Sequence, residues 1–291
     1  MRRRDFTKGI AVSVAIWPCA ARAQRAGEPV IGFLSARSAK ESEHLVDAFR
    51  KGMAEQGIVE GQNAAVDYRW ADSRYERLAG QAADLLSRQP KVLVSVGGDM
   101  TAKVATAATR TTPIVAVFIG DPVAGGFVTS LSRPGGNITG VSNLNAVIEG
   151  ETGDRSRGCL AQPQQCDRTE PAKGVEEAVR TIGLKVQFLK ASDDAEFEAA
   201  FRFIADNRIP ALLVPADAFF AAARDKLAEL AARTGVPAIC SLREAVIAGG
   251  LMSYGNNLPD TYRLIGTYAA RIVKGAKAAD LPVLQPTRFE S

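Results

Sequence analysis

From Pro29 onward, short apolar runs alternate with longer amphipathic segments. That pattern predicts strands and helices in turn around a mostly parallel sheet. Val30 to Leu34 is the first strand. Ser38-Ala39-Lys40-Glu41 has the spacing of a capping box, and Leu45, Phe49, Gly52 and Met53 mark the buried stripe of the helix it opens, which Gly57 ends. Ala64 to Trp70 is a second strand. Ser73-Arg74-Tyr75-Glu76 repeats the capping pattern and predicts a helix to about Gln89. Val92 to Val96 is wholly apolar, so it is covered on both faces; it ends in Gly97-Gly98-Asp99, before a helix through Thr101 to Thr109. Ile114 to Phe118 ends in Gly120-Asp121-Pro122. A short helix and the turn Ser132-Arg133-Pro134-Gly135-Gly136 lead to a strand over Ile138 to Val141.

A second series follows. Helix Glu170 to Ile182 precedes strand Lys185 to Leu189, helix Asp193 to Asp206 precedes strand Ala211 to Val214, and helix Ala218 to Thr234 precedes strand Pro237 to Cys240. Leu242 to Ala248 reads as helical, Leu251 to Tyr254 as a strand, and Pro259 to Lys274 as a last helix. The two series together predict an α/β fold of two Rossmann-like αβα lobes with mostly parallel sheets. The expected divisions are 24–142 for the first lobe, 143–254 for the second, and 255–291 for a helix and strand near the hinge.

The N-terminus stands apart. Met1-Arg2-Arg3-Arg4 is basic, Gly9 to Pro18 is a short apolar stretch, and Ala21-Arg22-Ala23 offers small residues where a signal peptidase reads. Residues 1–23 are therefore expected to be a cleaved export signal, with cleavage before Gln24. Arg3-Arg4-Asp5-Phe6-Thr7-Lys8 also has the look of a twin-arginine signal. Cys19 follows the bulky pair Trp17-Pro18, which does not suit a lipid anchor. Residues 1–23 hold five basic residues and one acidic one, and the whole chain has a net charge of +4, so the remainder is about neutral. Its basic isoelectric point therefore implies no nucleic-acid partner.

The 291 residues leave room for two domains. Three cysteines lie beyond the signal, Cys159, Cys166 and Cys240, an odd number with no Cys-x-x-Cys pair. The single histidine, His44, excludes a His-rich metal site and leaves a Ser-His-Asp triad without support; it reads as a solvated residue on the first helix. No dinucleotide, phosphate-loop or nucleophile-elbow motif is present, and no cofactor or metal is implied.

In open parallel sheets, ligands bind beyond the carboxyl ends of the strands. The residues just after the strands are Ser35, Ala36 and Arg37; Gly97, Gly98, Asp99 and Thr101; Asp121 and Pro122; Ser142 and Asn143; Pro215, Ala216 and Asp217; Ser241, Arg243 and Glu244; and Ser253 and Tyr254. The candidate ligand-binding set drawn from them is Ser35, Gly97, Gly98, Asp99, Thr101, Asp121, Pro122, Asn143, Asp217, Glu244 and Tyr254. Hydroxyls, amides and backbone-exposing glycines orient a polar ligand without transforming it. Asp99 and Asp217 also suit helix capping, and Gly97-Gly98 a tight turn.

Several pieces carry a family resemblance: Arg2-Arg3-Arg4-Asp5-Phe6, Val30-Ile31-Gly32-Phe33-Leu34-Ser35, Asp121-Pro122-Val123, Arg133-Pro134-Gly135-Gly136-Asn137-Ile138-Thr139-Gly140, Gly249-Gly250-Leu251-Met252-Ser253-Tyr254-Gly255, and Gly275 to Val283. Together they resemble the ABC transporter substrate-binding proteins of the tryptophan/tyrosine-binding type. The resemblance implies a type I periplasmic-binding fold, with Ser142-Asn143 and Ser253-Tyr254 at hinge strands. It implies a periplasmic location, capture of a small molecule such as an amino acid, an inner-membrane ABC permease as partner, a monomer, and no catalysis. An α/β enzyme such as a hydrolase, or a periplasmic sensing module, are the alternatives.

Residues 151–169 depart from that family, whose members have a helix here and then the first strand of the second lobe. Thr152 to Arg168 shows no strand periodicity. If Gln162 to Arg168 were encoded by CAA CCC CAA CAA TGC GAT CGA, a one-base displacement would give Leu-Asn-Pro-Asn-Asn-Ala-Ile, much like the family's loop. The stretch is thus read as out of frame, recovering near Glu170, and the end near Thr287-Arg288-Phe289-Glu290 as shortened. The expectation is a second lobe without a central strand, poor stability and weak or absent binding, hence a defective product.

Overall fold

The computed structural model describes residues 27–143, 156–161, 185–286 and 289–290. The first sheet has five parallel strands: β1 (Val30–Ser35), β2 (Ala65–Trp70), β3 (Val92–Val96), β4 (Ile114–Phe118) and β5 (Ile138–Ser142), in the order β2-β1-β3-β4-β5. β3, β4 and β5 are buried along their whole length, as expected of strands covered on both faces.

Alternate residues of these strands feed two separate cores. Ile31, Phe33, Val94, Val96, Val115 and Val117 face α1 (Glu43–Ala54) and the last helix, while Leu34, Leu93, Ile114, Ala116 and Phe118 face α2 (Leu78–Ser87) and α3 (Asp99–Ala108). The buried stripe of α1 is Leu45, Val46, Phe49, Gly52 and Met53, and His44 is exposed beside it. Ser38 makes half of the first capping box: its Oγ accepts from the Glu41 N–H at 3.4 Å, but the Glu41 carboxylate takes the Ser38 hydroxyl at 3.0 Å rather than its backbone N–H, and a 3-10 turn at Lys40–Ser42 precedes α1.

The second sheet is β10-β9-β8-β6-β7, with β6 (Ser156–Ala161), β7 (Lys185–Lys190), β8 (Leu212–Val214), β9 (Ala238–Cys240) and β10 (Met252–Ser253), all parallel. Each sheet, numbered from its own first strand, runs 2-1-3-4-5, so the two lobes share one topology. Helices α4 (Asp194–Asp206), α5 (Ala218–Ala222), α6 (Arg224–Thr234) and α7 (Glu244–Ile247) accompany the second sheet. Asp193 caps α4 by accepting from the Glu196 N–H at 2.8 Å, and left-handed Gly235 ends α6.

β6 corrects the expectation for residues 151–169. Ser156–Ala161 is a strand, and it occupies the centre of the second sheet between β7 and β8. Ladder hydrogen bonds are made by backbone groups common to all residues except proline, so two flanking strands impose the conformation on a segment of weak intrinsic preference. The second lobe therefore has its central strand. The predicted helix over Glu170 to Ile182 lies outside the described residues.

Three smaller expectations also change. The second capping box does not form: Asp72 and Ser73 take left-handed backbone angles, and a short 3-10 turn at Tyr75–Arg77 precedes α2. The helix predicted over Ala218 to Thr234 is two helices that break at Ala223. The short helix after Pro122 is a set of turns.

The chain returns to the first lobe at its end. β11 (Gly255–Asn256) pairs with β12 (Phe289–Glu290), and between them α8 (Leu258–Val273) packs on α1. A Cβ on Gly52 would collide with the carbonyl oxygen of Arg263, and one on Gly266 with that of Phe49. Glycine at both positions lets the two helix backbones meet directly. Leu284 then bridges to Val141 beside β5.

Candidate ligand-binding cleft

The carboxyl ends of the two sheets face each other, and a cavity lies between them. The first lobe supplies Arg37, Gly97, Gly98, Val117, Ile119 and Asn143; the second supplies Ala216, Asp217, Ala218, Ser241 and Leu242; the start of the last helix adds Asn256, Leu258 and Tyr262.

Gly97 and Gly98 have φ of 102° and 105°, a region that disfavours any other residue. A Cβ on Gly97 would lie 2.7 Å from that of Ala36, and one on Gly98 2.7 Å from Ile119 Cδ1. Gly97 is thus required by both conformation and space and Gly98 by conformation, and the pair exposes backbone to the cleft. Asn143 is buried, and its Oδ1 accepts from Thr261 Oγ1 at 3.1 Å, which fixes the amide.

Among the described residues, polar contacts cross from lobe to lobe. Arg37 Nη2 donates to Glu244 Oε1 at 3.0 Å, Tyr75 OH to Asp217 Oδ2 at 2.8 Å, Ser73 Oγ to the Ala218 carbonyl at 3.2 Å, and Arg224 Nη1 to Glu41 Oε1 at 2.9 Å. The lobes are therefore shut on one another. Asp217 is 5% exposed and also caps α5, accepting from the Phe219 N–H at 2.8 Å. Burial pushes its carboxyl upward, against the opposing pull of the Tyr75 and backbone hydrogen bonds.

Of the sequence-derived set, Gly97, Gly98, Asn143 and Asp217 lie in the cavity wall. Ser35 is buried behind it and accepts the Arg37 N–H at 3.1 Å, so it places Arg37. Asp99, the first residue of α3, accepts from the Ile119 and Gly120 N–H groups at 2.9 and 3.1 Å and braces the loop after β4; burial raises its pKa, while those bonds and Lys103 work the other way. Thr101 is buried, and its Oγ1 has no hydrogen-bond partner. Asp121 is exposed and accepts from the N–H groups of Val123 and Ala124, while Pro122 is buried beneath that loop. Glu244 lies beside the cavity as the partner of Arg37. Half-buried Tyr254 donates its N–H to the Cys240 carbonyl.

Asn256, Leu258 and Tyr262 were not in that set, because they follow the last strand loop and open a helix. Their one sequence signal is Asn257, which caps α8 by accepting from the Asp260 N–H at 2.7 Å. A capped helix beginning directly after a strand places its first turn at the cleft.

Two sheets of like topology closing on one cavity define a two-lobed binding protein of the type I periplasmic fold. The description "ABC transporter substrate binding protein" fits residues 30–291, and the chain belongs to that family. It is 22% identical over 242 residues to a tyrosine-binding protein of Clostridioides difficile strain R20291, covering 81% of this chain and 70% of the relative. A Streptococcus pneumoniae ABC domain in complex with L-Trp superposes with a TM-score of 0.79 at 22% identity, covering 89% of each chain. The ligand-free, open structure of a Clostridium difficile substrate binding protein with adhesive properties gives 0.63 at 21% identity, over 90% of each chain. The family is one of solute-binding proteins, whose members work outside the cytoplasm.

Proposed function

We propose that this chain is the periplasmic solute-capturing component of an ABC importer and that its ligand is an amino acid with an apolar or aromatic side chain. The observation that carries the reading is the interlobe cavity, walled by strand-end loops of both sheets and by the first turn of α8. Its walls are largely apolar, with a few polar groups at fixed places, as in sites that orient a small molecule. Closure of two lobes over a solute is hinge motion without chemistry, so the bound molecule leaves unchanged. Relatives named for tyrosine binding and for a complex with L-Trp support the amino-acid class.

Gly97, Gly98, Asn143 and Asp217 are the proposed ligand contacts among the sequence-derived residues. Ser35, Asp99, Thr101, Asp121, Pro122, Glu244 and Tyr254 form the surrounding frame in this reading. Residues 1–23 serve as the cleaved export signal. The protein acts as a monomer that delivers its solute to an inner-membrane permease. Pro134-Gly135-Gly136 and the other family-like pieces enter only as scaffold.

A thermal-shift screen of the signal-free protein against the common amino acids, nucleobases and small organic acids tests the proposal. A solute that binds only the folded state raises the melting temperature, by an amount that grows with its concentration over Kd. Turnover of any of these compounds, or a flat response to every amino acid, would sink it.

A further inference from the structure

Two buried polar atoms belonging to residues of the cavity wall have no hydrogen-bond partner: Arg37 Nε and Asn256 Oδ1. They have opposite character, since one donates and the other accepts. Arg37 is 4% exposed. Its backbone N–H is tied to Ser35 Oγ and its Nη2 to Glu244, so the residue is held at its main chain and at one end of its guanidinium. A guanidinium presents its N–H groups as a rigid planar fork suited to carboxylates. With Nη2 engaged by Glu244, the Nε–H is left over. A buried charged donor without a partner is costly, and native sites seldom leave one without reason. The rest of the wall is mainly apolar, with Val117, Ile119, Leu242 and Leu258 prominent.

We infer that Arg37 is the carboxylate-binding residue of the cleft, taking the ligand's carboxylate on Nε–H while Asn256 Oδ1 accepts from its amine. The inference rests on the amino-acid reading above and assigns its two poles. The one carboxylate among the described wall residues, Asp217, already accepts from Tyr75 and Phe219. In this assignment the amine is met by a neutral amide and the carboxylate by a cation, so the carboxylate is the stronger handle. Arg37 belongs to the first lobe and grips Glu244 of the second. A carboxylate on the same guanidinium sits where the lobes meet, so occupancy and closure share one side chain.

Titration calorimetry of the purified protein tests the assignment. The probes are L-tyrosine, L-tryptophan and L-leucine, their carboxamides, and the corresponding acids that lack the amine. The expected result is a loss of roughly 100-fold or more for the carboxamide of whichever amino acid binds, and roughly 10-fold or less for the deaminated acid. In Arg37→Gln the gap between acid and carboxamide closes to within about threefold. Arg37→Lys keeps the charge without the fork and retains part of the gap, which covers the case where Arg37→Gln does not fold. Glu244→Gln weakens acid and carboxamide alike and preserves the gap. Equal binding of amino acid and carboxamide, or a full gap in Arg37→Gln, overturns the role of Arg37 alone. Failure of all three amino acids and their acids to bind overturns the amino-acid reading, and this assignment with it.

Discussion

Tyr75→Phe removes one oxygen atom and with it a contact between the lobes. The ring remains, so its packing in the first lobe is preserved. The phenol donates to Asp217 Oδ2 at 2.8 Å, whereas the Phe219 N–H that donates to the same carboxylate belongs to the carboxylate's own lobe. Asp217 is 5% exposed, so water cannot readily replace the lost donor while the cleft is shut. Hydrogen bonds to charged groups contribute about 1.5–3 kcal/mol net. At about 1.4 kcal/mol per factor of ten, the closed-to-open ratio should fall roughly 10- to 150-fold. Opening re-solvates Asp217 and relieves the penalty, so the cost falls on closure and spares the fold. The assay is small-angle scattering of the ligand-free protein beside a thermal melt. The variant should show a larger radius of gyration with a melting temperature close to the parent. An unchanged radius would refute the reasoning, because it would mean that the Tyr75–Asp217 contact carries none of the closure.

Three further outcomes follow from other parts of the molecule. Gly266→Ala drives a methyl group into the Phe49 carbonyl; overpacking costs about 1–3 kcal/mol, so the melting temperature should drop by roughly 2–12 °C, and a smaller drop would show that the α1–α8 contact is loose. Closure should strengthen as pH falls from neutrality toward 4.5: the raised pKa of Asp217 means the shut cleft holds its proton more tightly than the open one, whose carboxyl returns toward 3.8. Glu41 opposes this only lower down, because burial raises its carboxyl but the bonds from Arg224 and Ser38 outweigh that and leave it below 4.5; scattering against pH in the parent and in Asp217→Asn, which should respond little, checks the sign. Finally, amide exchange across Ser156–Ala161 should be slow, since β6 is paired on both sides; exchange at the rate of an open chain would remove the central strand.

Most sheet strands were readable because they are compact apolar runs bounded by turn residues, and Gly97-Gly98 and Asp217 were readable as cleft residues because strand ends converge in this architecture. What escaped is decided by contacts distant in sequence. Ser73 has the spacing of a cap, yet its Oγ donates to the carbonyl of Ala218 in the other lobe. Asp121 looks like a ligand group beside Pro122, but it turns onto its own loop. Ser156–Ala161 has no strand pattern and is set by its neighbours. Asn256 and Tyr262 reach the cleft only because α8 crosses back to α1, which no local pattern announces.

That crossing has a temporal side. The face of α1 that carries Phe49 and Met53 is completed by Tyr262, Ile265 and Ala269, more than two hundred positions further along. A nascent or newly exported chain therefore holds a half-covered apolar surface until almost all of it has emerged. The second lobe is, in effect, a domain inserted into the first, and proteolytic trimming behind Tyr254 would strip the shelter from the opposite end of the sequence.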